Sequence, residues 1–324
     1  MSRALHVVVV GEPAYGGLRS ALIGAFEDIG CRVDTLDWGP WRFGLLSSAA
    51  FRVPSLGFGY RRQFRTYVDA MAEQRPVDLV LVVKGALLDG GCIEHLQVRL
   101  DSPVVCWNPD SPFDVTVSNR GAGIPEAIGF YDAYVTWAED VADRIERRCR
   151  KVFVLPFAWD PYSTEPVKGD GIADGRIVFV GTGTRDRSTV LESLAAFKPL
   201  VYGNRWPTIE GIEVRPPVRG REMCKIIGEA KWNINLLRPQ NALSHNMRSF
   251  EIVGAGGNQV APYTLDHHRF FGDDPRTAQF RSLAELKSVL KSDPSERDIR
   301  STQLLHGHTY RDRVVQLLDG LGIK

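Results

Sequence analysis

The sequence predicts an α/β fold built from two doubly wound parallel sheets. Short apolar runs alternate with segments of helical periodicity along the chain, which is the pattern of parallel strands joined by crossover helices. The length of 324 residues exceeds the usual size of one such domain and suits two. Residues 160–175 carry proline, glycine and charge without periodicity, so we place the linker between the domains there.

The first half of the chain contains six predicted strands. Residues 39–59 between them are irregular and aromatic, and a loop of this length is uncommon unless it covers something or moves. Gly11 opens a glycine-containing turn after the first strand, but the turn lacks the G-x-G-x-x-G spacing of a dinucleotide site. The strands are residues 5–10, 32–38, 78–83, 103–107, 132–136 and 152–155.

The second half of the chain repeats the alternation of strands and helices. His267 and His268 are expected on a loop in this half. The predicted strands are residues 177–180, 200–202, 211–214, 233–237 and one beginning at 260. The first predicted helix follows the residues 181–188 and runs through 194. The other predicted helices are residues 219–230, 245–253, 283–290, 295–305 and 310–318.

Composition and charge exclude several classes of protein. The net charge of +1 provides no overall field for nucleic acid or an anionic membrane, and no apolar run reaches the ~18 residues of a membrane span. The start of the chain has no pattern of a signal peptide. The five cysteines are scattered, odd in number and without a C-x-x-C pair, which indicates reduced thiols. We therefore expect a cytoplasmic protein without a transmembrane segment or a nucleic-acid partner; its oligomeric state is open.

The segment from Glu229 to Thr264 organises the second half. A buried strand there is followed by a polar loop, a helix and a glycine-rich turn. In an open α/β sheet, loop amides and the positive end of a helix converge at the carboxyl end of such a strand and bind ligands. The loop and the first helical turn contribute hydrogen-bond donors and one carboxylate, namely Arg238, His245, Asn246, Arg248 and Glu251.

A second candidate segment follows the strand at residues 177–180. Gly181, Thr182 and Gly183 expose backbone amides just before a helix, and Arg185 and Arg187 add positive charge where a phosphate would bind. No G-K-[ST] follows, so this is not a Walker loop. The alternative interpretation is a solvated first turn with two surface arginines.

Arg248 and Glu251 are three residues apart and share one face of a helix. The simpler interpretation is an ion pair within the helix. The functional interpretation has Arg248 facing a phosphate and Glu251 accepting hydrogen bonds from a sugar diol, because a carboxylate accepts from two adjacent hydroxyls.

Motifs of metal-dependent or nucleophilic catalysis are missing from the sequence. There is no H-E-x-x-H, no G-x-S-x-G and no D-x-D, the usual metal–diphosphate ligand of single-domain nucleotide-sugar transferases. His306 and His308 lack a third ligand nearby in the sequence. We therefore expect no metal and no cofactor.

These residues resemble the CgeB-like (spore-maturation-type) glycosyltransferases of the GT-B fold. The resemblance is carried by N-I-N-L at 233–236, N-M-R-S-F-E-I at 246–252, G-A-G-G at 254–257 and H-T-Y-R-D-R at 308–313. It implies two Rossmann-like domains facing a central cleft. Residues 1–160 would form the acceptor domain, residues 175–305 the nucleotide-sugar donor domain, and residues 306–324 a helix packing back toward the first domain.

The resemblance also implies transfer of a sugar from a nucleoside-diphosphate sugar to a small-molecule or glycan acceptor, with the nucleotide sugar as a substrate. A pyrimidine nucleotide is implied by the resemblance alone. Tyr202 and Ser249 lie within matched segments, and the base is expected beside Pro217 and Val218. The chain departs from related retaining enzymes with an E-x7-E pair, because Leu243 stands at the first glutamate. The stereochemical outcome therefore stays open.

An inverting enzyme also needs a base on the acceptor side. Asp110, after a strand of the first domain, is the first candidate, and Glu12 and His245 follow. Asp110 also has the position of a helix N-cap. Two other functions fit the same residues: a GT-B nucleotide-sugar epimerase and a non-catalytic protein that binds sugar nucleotides. A nicotinamide-dependent oxidoreductase would fit the sheet but not the loops.

Overall fold

The computed structural model describes residues 3–13, 17–38, 57–73, 76–114, 123–272, 274, 276–294 and 305–324. Most of the aromatic stretch at 39–59 and of the helix expected at 295–305 lies outside these residues. Within them, no helix is long and apolar enough to cross a membrane. All five cysteines are free thiols with buried side chains.

The chain divides into two compact units. Met1–Pro156 and Tyr310–Lys324 form the first unit, and Phe157–Thr309 form the second. Residues 160–175, where the linker was expected, are included in the second unit.

The first unit contains a six-stranded parallel sheet in the order β2-β1-β3-β4-β5-β6. Its central strands are apolar and fully buried, with Val7 to Val10 and Leu79 to Val82 at 0% exposure, as expected for strands covered by helices on both faces. The strands are β1 (His6–Gly11), β2 (Arg32–Asp37), β3 (Leu79–Val83), β4 (Val104–Trp107), β5 (Ala133–Thr136) and β6 (Val152–Val154). The helices that precede the second unit are α1 (Leu18–Asp28), α2 (Phe58–Ala72), α3 (Gly90–Leu100), α4 (Ile124–Ala127) and α5 (Glu139–Ile145).

The second unit also contains a six-stranded parallel sheet, in the order β12-β11-β10-β7-β8-β9. The strand order reverses between β7 and β10, which is the point where open sheets of this kind bind ligands. The strands are β7 (Ile177–Val180), β8 (Leu200–Tyr202), β9 (Glu213–Arg215), β10 (Trp232–Ile234), β11 (Gln259–Pro262) and β12 (Thr277–Phe280). The helices are α6 (Arg185–Glu192), α7 (Gly220–Glu229), α8 (Met247–Gly254), α9 (Leu265–Phe271) and α10 (Leu283–Lys291).

Helices cover both faces of the second sheet. Ile226 and Ile227 of α7 and Ile252 of α8 pack on one face. Leu191 of α6 and Leu286 of α10 pack on the other. The sheet therefore lies between two apolar layers. The loops that follow its strands are held at the carboxyl edge of this buried sheet.

The last helix, α11 (Tyr310–Leu321), belongs to the first unit, where it lies against α1. Val314 and Leu317 are fully buried. The Lys151 ammonium donates to the Gly320 carbonyl at 2.6 Å, and Arg313 donates to the Pro156 carbonyl at 3.0 Å. These contacts hold the end of the chain on the first sheet's unit.

The structure corrects two local expectations. His267 and His268 lie on α9 rather than on a loop; Thr264 caps this helix by accepting from the His267 amide at 2.9 Å, and Phe271 anchors it in the core. The sequence of α9 is too short for its periodicity to be recognised. Strand β12 was also missed, because its side chains are only half-buried at the edge of the sheet.

Candidate functional site

A buried amide network connects β10 to the start of α8. The side-chain amides of Asn235 and Asn246 donate to each other, at 3.2 and 3.0 Å. Asn246 is the N-cap of α8 and accepts from the Ser249 amide at 3.0 Å, and the Ser249 side chain is fully buried. Asn246 and Ser249, both expected to bind substrate, therefore fix the start of α8, and the burial of Ser249 disfavours direct contact with a ligand.

The loop after β7 is locked to the loop after β8. The amides of Gly181 and Gly183 donate to the carbonyls of Tyr202 and Asn204, both at 2.9 Å. The Trp206 indole donates to the Gly181 carbonyl, also at 2.9 Å. These two glycine amides, predicted to bind phosphate, are thus engaged within the protein, and they fix the loop that carries Thr182.

Gly203 allows this close approach of the two loops. A Cβ atom at Gly203 would collide with the Gly181 carbonyl, so no other residue fits here without separating the loops.

Arg187 bridges the two sides of the point where the strand order reverses. One guanidinium nitrogen donates to the Thr182 carbonyl after β7 at 3.0 Å, and another donates to the Leu236 carbonyl after β10 at 2.6 Å. Burial, with a smaller effect of the nearby Arg238 and Arg248, lowers the pKa of Arg187 to about 10. Arg187 therefore stays charged at neutral pH, in a place where three guanidinium groups act on one another.

Arg248 and Glu251 form the ion pair that their spacing predicts. The Arg248 Nη1 atom lies 2.8 Å from the Glu251 Oε2 atom, and both side chains are only slightly exposed, at 24% and 17%. Arg238 is exposed on the loop after β10, and Arg185 is exposed in the first turn of α6. Arg187, Arg238 and Arg248 form what we call the arginine cluster.

His245 is fully buried in an aromatic cage. Its ring makes edge contacts with Phe157, Phe250 and Phe270, and its Nδ1 atom lies 2.9 Å from the Ser244 hydroxyl. In this position His245 packs the loop against α8. Because its ring is fully buried, the position disfavours a role as the base that accepts a proton from a substrate hydroxyl. The predicted catalytic role of His245 has no geometric support in this structure.

The loop expected to bind the nucleotide base lies at the edge of the second sheet opposite β12. The Tyr202 and Val218 side chains belong to the core at 4% and 8% exposure, whereas Pro217 is exposed. Arg215 donates to Glu213 at 2.7 Å and to the Tyr202 hydroxyl at 3.2 Å. A ligand at this loop would therefore meet Pro217 and the backbone, while Tyr202 and Val218 support it from below.

A pocket of about 330 Å³ lies beside the arginine cluster. It spans the carboxyl ends of β10, β11 and β12 and the N-terminal part of α6. Its charged lining residues are Asp186, Arg187 and Arg238. Its apolar lining residues include Val190, Leu236, Leu237, Ala242, Pro262 and Phe280.

The first unit presents a separate set of charged groups at the carboxyl edge of its sheet. The Lys84 ammonium, after β3, donates to the Asp110 Oδ2 atom, after β4, at 2.7 Å. Asp110 is not a helix N-cap, because residues 111–114 contain a turn rather than a helix. Glu12 is exposed directly after β1, the strand next to β3. The strand order of this sheet reverses between β1 and β3, so these groups lie at its ligand-binding edge.

Lys84 is a candidate site residue that the sequence did not reveal. The Gly85 amide donates to the Val83 carbonyl at 2.9 Å, and Lys84 between them has a φ angle of 67°. This is a γ-turn of the rare, strained type. A strained lysine next to Asp110 fits the rule that such backbone conformations concentrate at functional sites. The dipeptide Lys84-Gly85 at the end of a strand was the available signal.

No group of three or more His, Cys, Asp or Glu side chains that could hold a metal ion occurs among the residues that the structure describes. The expectation of a metal-independent reaction stays a prediction.

The comparisons with known proteins agree with this architecture. Residues 185–319 match the family model described as glycosyl transferase-like, and no curated protein sequence gives a significant match. A UDP-forming α,α-trehalose-phosphate synthase from Burkholderia xenovorans is 13% identical, with a TM-score of 0.66 over 99% of this chain and 100% of that one.

Two further solved structures match over similar lengths. The apo form of the lipopolysaccharide outer core galactosyltransferase WaaB is 9% identical, with a TM-score of 0.55 over 98% of this chain and 99% of that one. The Methanocaldococcus jannaschii UDP-GlcNAc 2-epimerase, in complex with UDP-GlcNAc and UDP, is also 9% identical, with a TM-score of 0.53 over 97% and 99%. This likeness confirms the predicted fold class: the chain has the GT-B fold of two Rossmann-like α/β domains.

Proposed function

We propose that this protein is a metal-independent glycosyltransferase of the CgeB-like type. It transfers a sugar from a nucleoside-diphosphate sugar, with a pyrimidine base, to a small-molecule or glycan acceptor, and it needs no cofactor. The observation that carries the proposal is the arginine cluster at the point where the second sheet reverses its strand order. The five buried free thiols support a reducing compartment, and we propose the cytoplasm.

The arginine cluster favours an anion because its charges repel one another. Arg187 has its pKa lowered partly by Arg238 and Arg248, so the three cations lie within electrostatic range. Glu251 pairs with Arg248 at 2.8 Å and offsets one charge of the three. A diphosphate bound here would relieve the remaining repulsion, and it would replace the water that hydrates the exposed Arg238.

The same charges would accelerate the reaction. As the bond between the anomeric carbon and the diphosphate oxygen breaks, negative charge grows on the leaving diphosphate. Fixed guanidinium groups stabilise that charge more in the transition state than in the bound substrate. Arg187 is held by the Thr182 and Leu236 carbonyls, so this charge is already in place and little reorganisation is needed.

The acceptor hydroxyl forms the new bond to the anomeric carbon and gives up its proton. We assign this proton to Asp110, the candidate base whose carboxylate lies at the ligand-binding edge of the first sheet. Lys84 holds that carboxylate through Oδ2 at 2.7 Å, which orients it.

Calorimetric titration with UDP, dTDP, GDP and ADP tests the nucleotide assignment. The variant Arg238→Ala should weaken diphosphate binding about tenfold or more, because a hydrogen bond to a charged group is worth ~1.5–3 kcal/mol. Arg150→Ala is the matched control, since Arg150 is an exposed arginine of the first unit that precedes the amino end of β6. Equal losses in both variants, or tighter binding of a purine diphosphate, would contradict the arginine or the pyrimidine assignment respectively.

A nucleotide-sugar epimerase is the second candidate, because UDP-GlcNAc 2-epimerases are among the solved structures with this fold. Product analysis separates the two enzymes. A transferase releases the free diphosphate in step with a glycosylated acceptor, whereas an epimerase returns a nucleotide sugar with an inverted carbon. Binding of the nucleotide sugar without either product would favour the third function, a non-catalytic binding protein.

A further inference from the structure

The pocket beside the arginine cluster is unlike the usual site for a hexose. A hexose presents several hydroxyl groups, and each one buried without a partner weakens binding by about tenfold. Most of this pocket's lining is apolar, from Val190, Leu236, Leu237, Ala242, Pro262 and Phe280. The polar side chains in the lining are few, and all are charged and lie on the side of the cluster.

Arg187 uses two of its five N–H groups within the protein, so it remains a donor on the side of the arginine cluster. Two of its guanidinium nitrogens already donate to the Thr182 and Leu236 carbonyls, at 3.0 and 2.6 Å. Asp186, Arg187 and Arg238 can therefore meet a hydroxyl or a phosphate at one end of the pocket, while the other side chains of the lining are apolar. The ligand that fits has an anionic end at the arginines and a less polar body in the pocket.

The order of the strands indicates how such a ligand would be oriented across the second sheet. The loop at Pro217, where the base is expected, follows β9 at one edge of the second sheet. The pocket lies at the ends of β10, β11 and β12, toward the other edge, and the arginine cluster lies between the two. A diphosphate on the cluster therefore has its nucleoside on one side and its second substituent in the pocket.

We propose that the pocket is the site of the transferred sugar and selects a deoxygenated sugar, with a 6-deoxyhexose as the type case. This inference rests on the proposed function and specifies its substrate class. A methyl group in place of a hydroxymethyl group removes one hydroxyl that the lining cannot satisfy and buries apolar surface against Phe280 and Pro262. The volume of about 330 Å³ accommodates one hexose ring with its substituents.

The test uses the diphosphate that binds tightest among UDP, dTDP, GDP and ADP, together with its glucose and 6-deoxyglucose conjugates. In calorimetry, the 6-deoxyglucose conjugate should bind about tenfold more tightly than the glucose conjugate. If no diphosphate binds, the proposed function fails and this inference with it. If the diphosphate binds but the two conjugates have equal affinity, only this inference is overturned.

Two variants show whether the preference arises in this pocket. Ala242→Trp places a large side chain in the lining from an exposed loop position, so the fold should tolerate it. It should remove the tenfold preference, while the free diphosphate still binds. Leu243→Trp is the matched control, because Leu243 is the next residue, is 70% exposed and is outside the lining. An unchanged preference in Ala242→Trp would overturn the inference.

Val190→Thr tests the chemical basis of the preference. Threonine has nearly the volume of valine and adds a hydroxyl to the apolar lining, so binding of the glucose conjugate should improve and the preference should narrow to about threefold or less. Val98→Thr, at a 78% exposed position of α3, should leave the preference unchanged. A preference that Val190→Thr does not narrow contradicts the apolar lining as its cause.

Discussion

At the scale of single residues, the arginines of the cluster have different structural tasks. Arg187 connects the loops after β7 and β10, Arg248 is paired with Glu251, and Arg238 is exposed. Loss of Arg187 therefore removes a bridge between two loops as well as a charge, whereas loss of Arg238 mainly removes charge. Variants of Arg238 report on the ligand more directly than variants of Arg187.

The variant Glu251→Gln distinguishes the two interpretations of the Arg248–Glu251 pair, namely ribose binding and an ion pair alone. If Glu251 also accepts from a ribose diol, Glu251→Gln should raise the apparent KM for the donor, because one carboxylate acceptor becomes an amide donor. Wild type should bind a 2′-deoxyribose donor more weakly than the ribose donor, and the variant should bind the two donors with nearly equal affinity. If both proteins discriminate equally in calorimetry, Glu251 has no contact with the ribose and serves only the 2.8 Å ion pair.

His267 makes the stability of the second unit depend on pH. Its ring is fully buried, and neither ring nitrogen has a hydrogen-bond partner among the described residues. Burial, with a smaller effect of His268, lowers the pKa of His267 from 6.5 to about 4. The unfolded chain therefore binds more protons between these values, so stability is complete above pH 6.5 and falls as the pH drops toward 4, by about 3 kcal/mol.

The measurement is the free energy of unfolding as a function of pH. His267→Leu should flatten the loss of stability between pH 6.5 and 4, whereas His268→Leu, at the exposed neighbouring position, should retain it. The same slope in wild type and in His267→Leu would assign the acid sensitivity to other groups.

At the scale of elements, the end of α8 depends on one glycine. The Gly257 amide donates to the Ile252 carbonyl and the Gly256 amide to the Val253 carbonyl, and Gly256 has a φ angle of 77°. This is the Schellman arrangement, whose left-handed residue favours glycine. It closes the helix whose first turn carries Arg248 and Glu251, so the glycines that the sequence placed here have a defined conformational purpose.

Gly256→Ala should destabilise the protein by about 1–2 kcal/mol, because a Cβ atom is disfavoured in the left-handed conformation. Gly59→Ala is the matched control: Gly59 lies in α2 with open space where a Cβ atom would be added, and alanine there should stabilise the helix by roughly 0.5–1 kcal/mol. Thermal melts should thus shift in opposite directions. A Gly256→Ala protein as stable as wild type would contradict the assigned role of this turn.

At the scale of the whole molecule, the first unit is completed by the last helix of the chain. α11 buries Val314 and Leu317 completely, and Lys151 and Arg313 add hydrogen bonds between it and the strands and loops of the first unit. Folding of the first unit therefore needs both ends of the sequence, and the second unit is inserted between them.

A chain ending at Thr309 should lose stability in its first unit. Burial of one large aliphatic side chain contributes roughly 1.5–3 kcal/mol, so the loss of Val314 and Leu317 alone removes several kcal/mol. Hydrogen exchange should become faster in β1 and α1, while β7 and β10 keep their protection. Unchanged protection of α1 in the shortened chain would show that the first unit does not depend on α11.

Most of the elements followed from local patterns, because buried parallel strands are apolar runs that need no knowledge of their neighbours. All six strands of the first sheet were placed from the sequence, and β7 and β8 were placed with their observed ends. Strand β12 was missed because it is a half-buried edge strand, and helix α9 because it is too short for its periodicity to be recognised. Arg187, Arg248 and Glu251 were predicted as site residues from their positions after strands and at the start of a helix, and their roles stay a prediction.

The sequence by itself determined the alternation of strands and helices, and the loops in which charged groups collect. Only the tertiary structure decided which of those groups are available to a ligand. It assigned the Gly181 and Gly183 amides, Ser249 and His245 to contacts within the protein, and it brought Lys84 to Asp110 from 26 residues away. The physical reason is that a helix or strand follows from neighbouring residues, whereas burial and pairing arise from contacts between segments distant in sequence.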